Sequence, residues 1–224
     1  MIIKRVSLFF LFFVGSFSFL SADSTLDGQG NILTLGTSAT LTVSAGSTVT
    51  LKNLTLQNLS GTALVMESSA STLILDNVQV CMNGSYSFTQ GTLVINRDVI
   101  FTGTSVFSYQ SSSTSRINTA SCLTFDVGTT FSYAPPTNSR YLLSMTDQTS
   151  QLYLNNCTLC TTTTGLVLSR GTLILDKQVT LSGGGLTLSN CLAFGDAINT
   201  NDLFVQVYGG DLVTNCLIDI YRAI

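Results

Sequence analysis

The feature that constrains this chain most is a short unit that recurs along it with little change in design. Six copies align, each opening on Ser or Gly and then alternating apolar with polar residues, at 47–56, 71–80, 91–101, 115–125, 150–159 and 171–181. Their starts are 24, 20, 24, 35 and 21 residues apart. Repeats of this length are typical of solenoids, in which one coil cannot bury its apolar side alone and must stack on its neighbours.

The alternation within each unit predicts β-strands. In the copy at 71–80, apolar residues alternate with polar ones on both sides of an Asp76-Asn77 corner. Asn, Asp, Gly and Ser between the apolar runs are turn-forming residues. No window after residue 22 has the 3.6-residue period of a helix. We therefore predict an all-β fold, a single-stranded right-handed parallel β-helix with coils of roughly 20–25 residues stacked about 4.8 Å apart.

The corners come in two lengths and indicate an internal duplication. Copies starting at 47, 71 and 150 have two residues between their apolar pairs, whereas copies starting at 91 and 171 have three. The short corner precedes the long one twice, which predicts that Cys81 and Cys160 are equivalent. Asp76 and Asp176 are expected to occupy equivalent corner positions several turns apart and to cap their turns. A β-sandwich also uses alternating strands, but it lacks identical corners at a fixed period.

Residues 1–22 are predicted to be a signal peptide. Lys4 and Arg5 precede an apolar run at 6–20, and Ser21-Ala22 supplies small residues before Asp23. The run is shorter than the roughly 20 residues of a bilayer-spanning helix. The prediction is therefore a secreted or cell-surface protein with its β-helix domain at 23–224. The alternative is an uncleaved N-terminal anchor, which would be the chain's only membrane attachment.

One long gap between copies predicts a loop near 126–149. The two prolines of the chain, Pro135 and Pro136, lie in it, together with Arg140 and Asp147. Proline cannot donate a backbone hydrogen bond to a central strand. We therefore expect this segment to leave the stack.

The composition excludes several classes of function. Charged residues make up 9% of the chain, and it contains no His, which excludes His-based triads and His-containing zinc sites. The nine basic residues are outnumbered by twelve acidic ones, so nucleic acid is not an expected partner. The sequence assigns no catalytic, cofactor-binding or metal-binding residue, and no cofactor is expected.

The six cysteines leave two interpretations open. Cys122, Cys157, Cys191 and Cys216 each follow Ser or Asn, and equivalent positions on neighbouring coils would lie within disulfide range. The preferred interpretation is that they fill the core as small apolar residues. The Asn residues before them are expected to stack as a hydrogen-bonded ladder. Cys157 and Cys160 have C-x-x-C spacing but lack the helix start of the redox motif.

The S/G-T-L-x-L-[DN] units behind a signal peptide resemble the secreted right-handed parallel β-helix proteins, the pectin-lyase-like and autotransporter-passenger group. This resemblance covers about 27–220 and implies one of that group's activities, which include polysaccharide lyases and hydrolases, adhesins and passenger domains.

Three hypotheses about function follow. The first is an exported, non-catalytic, adhesin-like protein whose polar outer face contacts a host surface or glycan. The second is a carbohydrate-active enzyme with a site under the predicted loop, formed by Asp126, Arg140 and Asp147. The third is a fragment of a longer β-helix, because residues 216–224 are mostly apolar and lack a polar cap. It predicts end-to-end self-association.

Overall fold

The structure is a computed structural model that describes residues 5–7, 17–19, 23–36, 40–136, 139–162, 165–183, 192–195, 202–214 and 218–220. Its strands in chain order are β1 (Arg5–Ser7), β2 (Phe17–Phe19), β3 (Ser24–Asp27), β4 (Ile32–Thr34), β5 (Leu41–Val43), β6 (Thr48–Gly61), β7 (Leu64–Met66), β8 (Thr72–Phe88), β9 (Thr92–Thr102), β10 (Val106–Tyr109), β11 (Ser115–Ile117), β12 (Cys122–Phe125), β13 (Thr130–Tyr133), β14 (Leu143–Met145), β15 (Gln151–Asn155), β16 (Thr158–Thr161), β17 (Leu166–Leu168), β18 (Gly171–Asp176), β19 (Val179–Ser182), β20 (Leu192–Phe194), β21 (Leu203–Val207), β22 (Leu212–Thr214) and β23 (Ile218–Ile220).

The strands form a parallel β-solenoid of about six turns, with coils about 24 residues apart and no helix among the described residues. This confirms the predicted fold class. Each coil has three faces joined by corners, and equivalent residues of successive coils lie side by side in parallel register. The first, second and third corners follow the first, second and third faces, respectively.

Apolar columns inside the coils form one continuous core. Within each face of β6 and β8, buried and outward residues alternate, so every second side chain points inward between the corners. Each face contributes a column: on the first face Leu51, Leu75, Ile95, Ile117 and Met145; on the second Leu56, Val80, Phe101, Phe125 and Leu154; on the third Tyr86, Phe107, Phe131, Leu159 and Leu181.

The Ser or Gly that opens each unit lies at a crowded corner. Ser71 is fully buried, and its hydroxyl donates to the carbonyl of Ser44 in the preceding coil at 2.9 Å. Gly91 is the stacked equivalent in the next coil and adopts φ +86°. A Cβ at Gly91 would lie 2.8 Å from the Ser71 carbonyl oxygen. Only small residues therefore fit at the start of a unit.

The structure corrects the predicted equivalence of the duplicated blocks. Leu73 of the copy at 71–80 lies on the first face, but Leu152 of the copy at 150–159 stacks in the second-face column that begins at Leu54. The later block is therefore displaced by one face. The unit fits either position because both corners use a residue with left-handed φ, as at Asn77 (57°) and Asn156 (47°).

The segment 126–149 differs from the predicted loop because it contributes two strands to the stack. β13 pairs with β10 and β16, and β14 pairs with β11. Pro135 and Pro136 follow β13 without interrupting it. Their lack of a backbone donor costs no ladder hydrogen bond there, because both lie in the connection between strands.

Two short strands lie within the predicted signal peptide. β1 pairs with β3 and β2 pairs with β5, both in parallel register. These strands therefore lie beside the first coil of the domain, on its first and third faces.

Candidate functional site

The three residues of the predicted enzyme site lie at three different corners. Asp126 follows β12 at the second corner, Arg140 precedes β14 at the third corner, and Asp147 follows β14 at the first corner. A second-face strand of four or five residues, which spans about 13–17 Å, separates the two carboxylates along the coil. The structure therefore does not bring these side chains together.

Each carboxylate of the predicted pair has a local structural partner. Asp126 accepts a hydrogen bond from the Asn155 amide of the next coil at 2.5 Å. Asp147 accepts hydrogen bonds from the Thr119 hydroxyl at 2.6 Å and from the Thr149 amide at 2.8 Å. These bonds, led by that of Thr119, lower the pKa of Asp147 to about 2. A carboxylate held in its charged form suits turn capping better than general acid catalysis.

Asp76 and Asp176 also differ from the prediction, since they lie at different corners and contact neighbouring coils. Asp76 forms an ion pair with Arg97 at the first corner. Asp176 accepts a hydrogen bond from the Tyr153 hydroxyl at 2.6 Å at the second corner, and this bond is the main reason that the pKa of Tyr153 rises to about 12. The Asx cap predicted for them is instead made by Asp27 and Asp147, whose carboxylates accept from the backbone two residues on.

A polar ladder runs along the first corner. Asn53 donates to Asp27 at 3.1 Å, and Asn77 donates to Asn53 at 3.0 Å. Arg97 pairs with Asp76, and its guanidinium also donates to the side-chain oxygen Oδ1 of Asn53 at 3.4 Å. Hydrogen bonds from the backbone amide of Gln29 and from the side chain of Asn53 lower the pKa of Asp27. These side chains already bond one another across four coils, so the ladder stabilises the corner without a ligand.

The amide ladder was predicted at other residues, those preceding the cysteines. Asn156 is at the second corner with φ 47°, and Asn190 and Asn215 lie outside the described residues. The signal that would have found the true ladder is the Asn that shares the corner position of the copies at 47–56 and 71–80.

The described cysteines do not stack on one another, so they do not support the disulfide-range alternative. Cys122 lies beside Asp98 and Gln151 in the neighbouring coils, and the four described cysteines are free thiols. Cys157 is buried, as the preferred interpretation expected, and burial raises its pKa to about 12. Cys160 lies on the outer side of β16, so its thiol faces away from that of Cys157. Cys191 and Cys216 lie outside the described residues.

The outer side of the third face is a flat, uncharged surface of small side chains. Its outward side chains stack in two rows across the coils, and we call them the hydroxyl surface. One row contains Thr130, Thr158 and Thr180, and the other contains Ser87, Ser108, Ser132, Cys160 and Ser182. Ser108 and Ser132 are buried between their neighbours. Neighbours within a row are about 4.8 Å apart, and the rows are about 7 Å apart. No strand from β10 to β19 that contributes to this surface has a charged residue.

The C-terminal end of the described stack is apolar and exposed. Val207 and Leu212 occupy inward columns, stacking on Leu175 and Val179, yet they are 60% and 46% exposed. Tyr208 beside them is also exposed. Among the described strands, β21 pairs only with β18 and β22 only with β19, whereas the first face continues one strand further because β23 pairs with β20.

Among the described residues, no group of three or more Cys, Asp or Glu side chains could hold a metal ion. No helix long and apolar enough to cross a membrane occurs in the same part of the chain.

Comparisons with protein-family models, with characterised proteins and with solved structures gave no match.

Proposed function

We propose that this chain is an exported, non-catalytic surface or secreted protein of adhesin-like type, which contacts a host surface or glycan through the outer side of its solenoid. The hydroxyl surface is the observation that carries this proposal. Glycans present hydroxyl groups at short intervals, and a flat array of Ser and Thr hydroxyls can donate to and accept from them without a charged partner. Within this proposal the chain resembles the pectin-lyase-like and autotransporter-passenger group of β-helices.

Export is proposed from the sequence pattern of residues 1–22. Fractionation of the producing cells with an antibody to 23–224, followed by mass spectrometry of the N-terminus, tests it. We expect Asp23 as the new N-terminus, at the cell surface or in the medium. An intact Met1 in a membrane pellet would contradict cleavage and favour the uncleaved anchor.

Contact through the hydroxyl surface is tested with one matched pair of variants. Thr158→Arg places a long charged side chain in the middle of this surface, whereas Thr55→Arg places the same side chain on the outer side of the second face. Binding of the exported protein to host cells and to a glycan array is then measured. We expect Thr158→Arg to lose at least tenfold in affinity and Thr55→Arg to retain it. Equal losses in both variants, or no binding by the parent protein, would refute the proposal.

A further inference from the structure

A short segment of β8 lies outside the parallel register of the stack. Pairing of β8 with the preceding coil passes from Met82 directly to Tyr86, so residues 83–85 lie opposite Ser60 alone. Pairing with the next coil ends at Cys81 and resumes at Tyr86. Residues 83–85 therefore form a bulge at the second corner, with no residue in one-to-one register on either side.

The bulge begins with Asn83-Gly84, the one Asn-Gly dipeptide of the chain. The Asn83 side chain is exposed, and no hydrogen bond joins it to the described part of the chain. Gly84 has no side chain that would hinder an approach to its own backbone nitrogen. The carboxamide carbon and the backbone nitrogen that react in asparagine deamidation are thus combined at a position open to water.

Other asparagines at the corners lack this combination. Asn53 and Asn77 are bonded in the polar ladder, and Asn118 donates to Asn96 at 2.6 Å. Each of these four is followed by a residue with a side chain, which crowds the backbone nitrogen that would attack. A hydrogen-bonded carboxamide is also held away from that nitrogen. Asn83 is therefore the asparagine best placed to react in the native fold.

We propose that Asn83 is a site of spontaneous deamidation in the folded protein, with water as the only co-reactant. The Gly84 backbone nitrogen gives up its proton and attacks Cγ of Asn83, forming a new C–N bond. The bond from Cγ to Nδ2 breaks, and ammonia leaves with a proton from water. The five-membered succinimide ring is then opened by water at either carbonyl. The product is aspartate or isoaspartate, and no group is oxidised or reduced.

The bulge also explains why the stack tolerates the product. Isoaspartate adds one carbon atom to the backbone at position 83. Because residues 83–85 have no one-to-one partners, the extra atom is absorbed between Met82 and Tyr86, and the flanking ladders keep their register. Both products add a negative charge beside the third face, where the segment 84–88 of β8 is uncharged. The modification therefore changes the charge of the surface and leaves the fold intact.

The test incubates the full chain in heavy-oxygen water at pH 8, both in native buffer and in urea. Peptide mass spectrometry follows the replacement of the amide by a labelled oxygen, and an isoaspartate-specific methyltransferase identifies the isomer. In native buffer we expect label at position 83 and none at Asn53 or Asn77. The rate should rise with pH, because the attacking nitrogen reacts as its anion. Circular dichroism and the urea midpoint of the aged protein should match those of fresh protein.

Two variants separate the chemistry from the position. Asn83→Gln keeps an exposed carboxamide but requires a larger ring, so we expect it to abolish labelling at position 83. Gly84→Ala keeps the asparagine and crowds the attacking nitrogen, and it should slow conversion about tenfold. The added Cβ would contact only the Ser60 side chain, at 3.0 Å. Circular dichroism checks that both variants retain the β-sheet signal.

Four results would overturn the inference. Asn83 that reacts in urea but not in native buffer would show that the folded bulge protects it. Equal labelling of Asn53 and Asn77 in native buffer would remove the role of the bulge. Conversion of Gly84→Ala at the rate of the parent would exclude attack by this nitrogen as the controlling step. A lower urea midpoint in the aged protein would contradict the tolerance of the stack.

Discussion

The aromatic centre of the core gives the sharpest prediction about stability. Phe125 is 0% exposed, and its ring is stacked between those of Phe101 at 5.2 Å and Phe131 at 4.6 Å. The Phe131 ring is inclined by only 4° to it. Phe125→Ala removes the middle of this stack and leaves a cavity between strands whose spacing the backbone ladder fixes.

The expected cost follows from how little that cavity can collapse. Truncation of a buried Phe to Ala destabilises proteins by about 3–5 kcal/mol, with the higher costs at sites that cannot relax. Aromatic pairs contribute about 0.5–1.5 kcal/mol beyond their buried area. Because β12 is held between β9 and β15, we expect about 4–5 kcal/mol for Phe125→Ala. Phe204→Ala is the matched control, since Phe204 is 37% exposed, and we expect about 1 kcal/mol or less for it.

Urea unfolding followed by circular dichroism measures both variants. Solenoids can unfold in more than one step, so hydrogen exchange resolved by peptide is measured alongside. We expect the largest loss of protection in the coils that contain Phe101, Phe125 and Phe131, because each coil contacts only its neighbours. A cost for Phe125→Ala no greater than that for Phe204→Ala would refute the reasoning.

The remaining predictions concern a corner, a carboxylate and the thiols. Gly91→Ala is expected to lower the free energy of unfolding by about 1–3 kcal/mol more than Gly46→Ala does. Both glycines have positive φ, but of the two only Gly91 would bring an added Cβ against backbone atoms. Equal urea midpoints for the two variants would contradict this. Hydrogen bonds lower the pKa of Asp147 to about 2, below its unfolded value of about 4. Its stabilising contribution is therefore fully present above about pH 4 and is lost as the pH falls towards 2. Asp147→Asn should therefore make the melting temperature fall less steeply over that pH range. A melting temperature that falls equally steeply in the variant would contradict a stabilising role for the hydrogen bonds of Asp147. In native protein treated with iodoacetamide at pH 8, peptide mass spectrometry should find Cys81 modified before Cys157, because the Cys157 thiol is buried and its pKa is raised to about 12. Modification of Cys157 before Cys81 would contradict the buried position of Cys157.

The corner residues explain why the sequence located the repeat units but predicted as equivalent some units that lie on different faces of the coil. Leu73 and Leu152 open units of the same design, and nothing in either unit states which corner it turns. The left-handed residue at each corner has the same backbone requirement, and the inward positions accept any aliphatic side chain. Only the number of residues and strands between the units decides the face, and that number depended on 126–149.

That segment was misjudged because its strands lack the signature of the repeat. β13 and β14 are four and three residues long, and the prolines between them favour a loop. In the structure, aromatic stacking holds β13 in place, because the Tyr133 ring lies 5.7 Å from that of Tyr109 in the preceding coil. Such a contact joins residues 24 positions apart, so no local pattern predicts it.

The sequence by itself determined the fold class, the coil length, and which residues alternate inward, because those features depend on a local period of two and on turn-forming residues. The tertiary structure alone decided which coil face each unit occupies, and therefore that Asp126, Arg140 and Asp147 lie at separate corners. It also decided that the polar ladder joins Asp27, Asn53 and Asn77. The physical reason is that stacking is an interaction between coils, and its register is set by the summed length of everything between them.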